Sequence, residues 1–270
     1  MRLPRLRNRG GDPAERLELA ARALEDGDPR RALDLAAAAL REARRAGVDD
    51  EVVEALLLRA GALFELERFS DARKEASRAC RAAPDAPSAW MELAECAYRC
   101  AEFEEAIAAV RTAVDLDPDD AEGWHLLGRL ALWEEDGATA DRAFRRAARL
   151  DPREYVVPVR IATGEFDRTA AQVWATIPAA FQARLRNTLV VVEPLPDADD
   201  VAGGFDPDTL GIYEGGTALA GDDWPERIVL FQRNHENVCG SLGALREEIR
   251  RTVLHEVGHH FGMDEHELPY

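Results

Sequence analysis

The segment HEVGHHFGMDEHEL (255–268) gathers the residues of this chain best suited to chemistry. His255 and His259 are four apart, so on a helix they stand one above the other on the same face. Two imidazoles so placed reach one tetrahedral metal ion, with zinc the default and cobalt, nickel or iron as alternatives. Glu256 follows the first histidine and points away from the axis of the pair. It is placed to serve an attacking water, taking its proton and returning it to a leaving amine. Leu254, Val257, Gly258 and Phe261 keep the surroundings uncharged. His260 faces about 100° away from His259, which disfavours it as a ligand.

Two histidines leave a catalytic metal one protein ligand short. Eleven residues follow His259, so the third ligand is expected upstream or within 262–270. Gly262 can adopt a left-handed conformation and turn the chain back. Glu265 then stands at i+10 from His255, in the pattern HExxHxxGxxE, close to the metzincin pattern HExxHxxGxxH. Asp264 and His266 flank it as alternatives. Residues from about 155 to 270 resemble the small bacterial zincin-like metallopeptidases. The matching stretches are LVVVE (189–193), GIYEG (211–215), RIVLFQ (227–232) and REEIRRTVLHEVGHHFGMDEHEL (246–268). The resemblance implies zinc held by His255, His259 and Glu265, with Glu256 as general base. It also implies a compact α+β domain of a few strands and a helix layer.

The elements that position these residues are legible in outline. Residues 189–193 and 227–232 read as strands, the second as an edge that pairs with an extended substrate. A turn-rich stretch rich in Pro and Gly lies between them. Residues 164–187 read as helix with a fresh start at Pro178, and Phe166, Val173, Ile177, Phe181 and Leu185 form its apolar face. The final helix runs from a Ser241 cap to Gly262. Tyr213 has two readings, a donor to a tetrahedral oxyanion or a plain strand or turn aromatic. From Glu193 to Glu226 there are ten acids and no Arg or Lys. That run reads either as a solvated loop or as an acidic rim that favours basic peptides.

The first half repeats. Pro84, Pro118 and Pro152 are 34 residues apart, as are Ala72, Ala106 and Ala140, and Ala79, Ala113 and Ala147. Leu56, Trp90 and Trp124 keep a fourth phase of the same period. Small Ala residues let paired helices approach, and proline stops the second helix of each pair. Period and pattern resemble the tetratricopeptide repeat, most closely at Trp124, Leu127, Gly128, Ala140, Phe144, Ala147 and Pro152. Arg59 stands where a Leu is usual. Ala32 and Ala39 mark an earlier unit, offset by 40 residues from Ala72, which predicts a longer connection near 43–50. About four units over 13–153 form an all-α helical solenoid whose concave face is expected to bind a peptide or protein.

With 270 residues, the chain has room for two domains, 13–153 and 155–270, with a boundary near 152–158. The net charge of −18 disfavours nucleic acid and anionic membranes as partners. No apolar region follows the basic N-terminus, and no apolar run is long enough to span a bilayer. Cys80, Cys96, Cys100 and Cys239 have no zinc-ribbon spacing and read as small buried residues. A reducing cytoplasm is expected. Arg in place of Lys throughout, Lys74 excepted, suggests a bacterial source. The expected function is a zinc-dependent metallopeptidase whose repeats recruit a protein or peptide substrate. The alternative is an interaction scaffold with a structural or inactive zinc site.

Overall fold

The computed structural model describes residues 12–177, 185, 188–215 and 226–260, with the backbone alone at His259 and His260. The chain divides into two compact units, Met1–Gly123 and Trp124–Tyr270.

The first unit is built from helix pairs: α1 (Pro13–Glu25) with α2 (Pro29–Ala46), α3 (Asp49–Glu65) with α4 (Phe69–Ala82), and α5 (Pro87–Arg99) with α6 (Phe103–Leu116). Each pair turns through one left-handed residue, at Gly27, Glu67 and Ala101. The next amide bonds back into the first helix in every case: Asp28 N to Ala23 O, Arg68 N to Leu63 O, Glu102 N to Ala97 O. This is the bond that closes a helix C-terminus when its last carbonyls lack partners. The repeated alanines Ala72, Ala79, Ala106 and Ala113 are buried where the helices meet.

The six additional residues of the first repeat do not lengthen its connection, contrary to the reading of 43–50. α2 has 18 residues where α4 and α6 have 14, and α3 has 17 where α5 has 13. The connection shrinks to Gly47 and Val48, because Gly47 takes the left-handed conformation (φ 72°) and ends α2 at once. Arg59, at its unusual position, forks onto the buried Glu75 through Nε and Nη2, both at 3.3 Å.

The second unit contains most of α7 (Ala121–Trp133), then α8 (Gly137–Leu150), α9 (Thr163–Ala175), β1 (Thr188–Glu193), α10 (Ala198–Ala202), β2 (Gly211–Glu214), β3 (Glu226–Phe231), α11 (Gln232–Asn237) and α12 (Leu242–His260). α7 and α8 form a fourth pair of the same kind, turning at Glu135. Gly128 packs on the Phe144 ring so closely that a Cβ would lie 2.9 Å from it. The period therefore runs on to Pro152, while the second compact unit begins at Trp124. Arg160 reaches back to Asp141 on α8 and lies 5.4 Å over the Phe144 ring. Arg129 on α7 pairs with Asp208.

The sheet has the order β1-β3-β2, with β1 parallel and β2 antiparallel to β3. β3 is thus the middle strand, which corrects its reading as an edge. Ile228, Val229, Leu230 and Phe231 are all buried, as expected of a strand covered on both faces. Gln232, read as part of that strand, opens α11 instead. Phe166, Ile177 and Leu185 join Ile228 and Leu230 in one core with Leu245, Ile249, Val253 and Val257 of α12. Pro178 and Phe181 lie outside the described residues. Among the described residues no helix is long and apolar enough to cross a membrane.

Candidate metal centre

α12 starts at Ser241, whose hydroxyl accepts from the Ala244 amide at 3.2 Å. Leu245, Ile249, Val253 and Val257 recur every four residues and bury one stripe of the helix in the core. That seating turns Glu248, Thr252, His255 and Glu256 toward a cleft of about 730 Å³. The opposite wall is β2, with Tyr213 and Glu214, and the loop that carries Phe205 and Leu210. Gly211 permits this closeness, since a Cβ there would stand 2.7 Å from the Thr252 methyl and 2.9 Å from the Val229 carbonyl.

His255 is half-buried and Glu256 is buried at 5% exposure, both on the cleft wall. His259 follows one turn later on the same helix. Its side chain, and Gly262, Asp264, Glu265 and His266, lie outside the described residues. Among the described residues no three His, Cys, Asp or Glu side chains converge as a metal site. The half-buried His255 imidazole opening on the cleft is a donor of the kind zinc takes, and the buried Glu256 carboxylate stands beside it. Among the described residues that line the cleft, the carboxylates are Asp200, Glu214, Glu248 and Glu256 and the one guanidinium is Arg251. Glu214 pairs with Arg227, and Glu248 with Arg251 at 3.0 Å.

Burial pushes the Tyr213 phenol up to about 12, and its hydrogen bond to Glu226 adds to the effect. Thr188 also donates to Glu226, at 2.8 Å. Tyr213 lines the cleft, but its hydroxyl is committed to this carboxylate.

Nothing in the residue pattern of α11 marks it as part of the site. Its run QRNHEN looks like exposed polar helix, yet Gln232, Asn234, His235, Glu236 and Asn237 are buried. Each of three has a distinct target. Asn234 donates to the Pro207 and Thr209 carbonyls at 2.9 and 2.7 Å, fixing the loop that walls the cleft. His235 meets the Phe231 carbonyl through Nδ1 at 2.9 Å and Thr252 Oγ1 through Nε2 at 3.1 Å. Both ring nitrogens are engaged, so this histidine is no metal ligand. Glu236, fully buried, accepts from Arg160, Arg233, Gln232 and the Ile161 amide. The one available signal was position, since the run follows directly on an apolar strand of the kind found inside sheets.

The four cysteines are free, with Cys100 half-buried and the others buried.

Residues 17–87 and 57–121 match the tetratricopeptide repeat, and residues 185–270 match the zincin-like metallopeptidases. A stretch of 52 residues is 48% identical to the cytochrome c-type biogenesis protein CycH of Pseudomonas aeruginosa, covering 19% of this chain and 13% of that protein's length. Among solved structures, a MamA double mutant (RS-1) has 25% identity and a TM-score of 0.45, over 54% of this chain and 79% of that one. A thermophilic TPR protein of Thermus thermophilus has 21% identity and a TM-score of 0.45, over 52% and 75%. Two family models thus match separate stretches of this chain, the tetratricopeptide repeat at residues 17–121 and the zincin-like metallopeptidases at residues 185–270.

Proposed function

We propose that the chain is a zinc-dependent metallopeptidase whose helix pairs recruit a protein or peptide. The observation that carries this reading is the cleft between α12 and β2, on whose wall His255 and the buried Glu256 stand together. His255, His259 and Glu265 would hold the zinc. Bound zinc supplies Lewis acidity, polarising a carbonyl and lowering the pKa of water. Glu256 takes the proton of the attacking water and passes it to the leaving amine. β2 lines the cleft and has no partner on its far side among the described residues. It takes the role first read for β3, pairing with an extended substrate through backbone hydrogen bonds. The excess of carboxylates in the cleft favours substrates with Lys or Arg near the cleaved bond.

The test joins metal analysis of the purified chain with peptide-library cleavage, for wild type and Glu256→Ala. The expected result is one zinc in both proteins and hydrolysis by the wild type alone. Zinc without hydrolysis in the wild type supports the scaffold reading instead. Loss of zinc in Glu256→Ala equal to that in His255→Ala overturns the role given to Glu256.

A further inference from the structure

α11 joins the central strand to the helix that carries His255 and Glu256, and a buried hydrogen bond between His235 and Thr252 links the two helices. His235 is fully buried, with Phe166 edge-on to its ring at 5.5 Å. The Phe231 carbonyl can only accept, so Nδ1 carries a hydrogen. Burial holds the imidazole down near 4, so the ring is neutral and Nε2 is bare. The hydrogen between His235 and α12 must therefore come from the Thr252 hydroxyl. That hydroxyl also donates to the Glu248 carbonyl at 3.0 Å, so both acceptors lie within reach of its one hydrogen. Thr252 sits three residues before His255 and four before Glu256, on the cleft side of the helix. Its methyl fills the space left by Gly211 on β2.

From this geometry we infer that His235 and Thr252 are positioning residues, which fix the rotation of α12 so that His255 and Glu256 face the cleft together. The inference rests on the metal reading above. The apolar stripe alone is a soft guide to rotation. Leu245, Ile249, Val253 and Val257 pack through aliphatic contacts, which have no directional preference of their own. A hydrogen bond is directional and weakens steeply when its angle opens. It is also the polar link between α11 and the turn just before the metal residues. Asn234, next to His235, fixes the facing loop through Pro207 and Thr209. One short helix thereby sets both walls of the cleft.

Thr252→Val tests this, because it keeps the branched shape and the methyl facing Gly211 and removes only the hydroxyl. Thr252→Ser restores the hydroxyl without the methyl. Zinc affinity of the full chain is measured by competition with a chromophoric chelator, and the cobalt-substituted proteins are compared by visible absorption. The expected result is a folded Thr252→Val that binds zinc about tenfold more weakly, in the range of supporting partners of metal ligands. Its cobalt spectrum should be shifted, and Thr252→Ser should restore both. Where hydrolysis is measurable, kcat should fall in Thr252→Val with KM within about twofold, since the change alters orientation rather than substrate contacts. Wild-type affinity and spectrum in Thr252→Val overturn the inference and leave the metal reading intact. Equal losses in Thr252→Val and Thr252→Ser also overturn it, since they would trace to packing. A wild type that binds neither zinc nor cobalt overturns the metal reading itself, and the inference with it.

Discussion

Arg59 occupies a position held by Leu93 and Leu127 in the following repeats, and the facing helix is changed to suit it. Glu75 stands where those repeats have Ala109 and Ala143, and Ala76 where they have Val110 and Phe144. The guanidinium fills room left by the smaller residue and is neutralised by a carboxylate at 6% exposure. Arg59→Leu alone strands that carboxylate with Arg78 only and should cost about 2–3 kcal/mol in chemical denaturation. Arg59→Leu with Glu75→Ala should recover most of the loss, because removing both charges also removes their desolvation. Comparable losses in single and double variants would mean that the pair acts through packing alone. At the metal, Glu265→Ala should weaken zinc binding by more than 100-fold, beyond what a supporting partner costs. Titration of His266→Ala beside it decides the register: if His266→Ala strips the zinc and Glu265→Ala does not, the ligand is one residue later. The spacing HExxH was legible because both histidines lie within one helical turn. His235 was not, because its partner Thr252 is seventeen residues away and no periodicity links a polar run to a distant hydroxyl.

Helices of the repeats were the most legible elements, since alanine, proline and a large residue recur at a fixed period. β2 was harder to place, being four residues in a Gly- and Pro-rich stretch, and strand order cannot be read from strand composition. A continuous apolar run such as that of β3 indicates burial on both faces, and hence a central place, more than an edge. Two substitutions test element geometry. Ala101 has φ 57°, a conformation that costs a side chain roughly 1 kcal/mol and glycine almost nothing. Ala101→Gly should raise stability by up to about 0.5 kcal/mol after the entropy of the unfolded glycine is counted, read as a slightly higher Tm. Gly211→Ala should do the reverse, lowering stability by about 1–3 kcal/mol, because its Cβ meets Thr252 and the Val229 carbonyl. An unchanged melting curve for Gly211→Ala would show that β2 and α12 separate at little cost.

The buried titratable groups predict opposite responses of the two units to acid. All six histidines lie within 124–270. Burial holds His125 and His235 near 4, below the ordinary 6.5, so the unfolded chain binds more protons than the folded one. Their contribution is complete above pH 6.5 and falls by about 1.4 kcal/mol per pH unit for each as pH drops toward 4. In the first unit burial pushes the Glu92 carboxyl up to about 7 from 4.5, and Glu95 and Glu122 add to it. There the folded form binds the extra proton, so stability rises as pH falls through that window. Calorimetry between pH 7 and 5 should therefore show the transition of the second unit falling in temperature while that of the first holds or rises. A parallel fall of both would contradict the assignment. Fragments test the boundary. Residues 121–270 keep Asp141 and Phe144 beside Arg160, and Arg129 beside Asp208, whereas residues 155–270 lose them. The longer fragment should melt several degrees higher. Equal melting would put the folding boundary at 152–158, where the repeat period ends.

The left-handed turns have a kinetic consequence. In each of the four helix pairs one amide, that of Asp28, Arg68, Glu102 or Asp136, bonds back across the turn to Ala23, Leu63, Ala97 or Ala131. Such a bond breaks when its own hairpin opens, and repeats of this kind open one neighbour at a time. Hydrogen exchange at these four amides is then a set of equivalent reporters, one for each repeat. Their relative rates should rank the repeats by local opening, and a partner that docks on one pair should slow its reporter first.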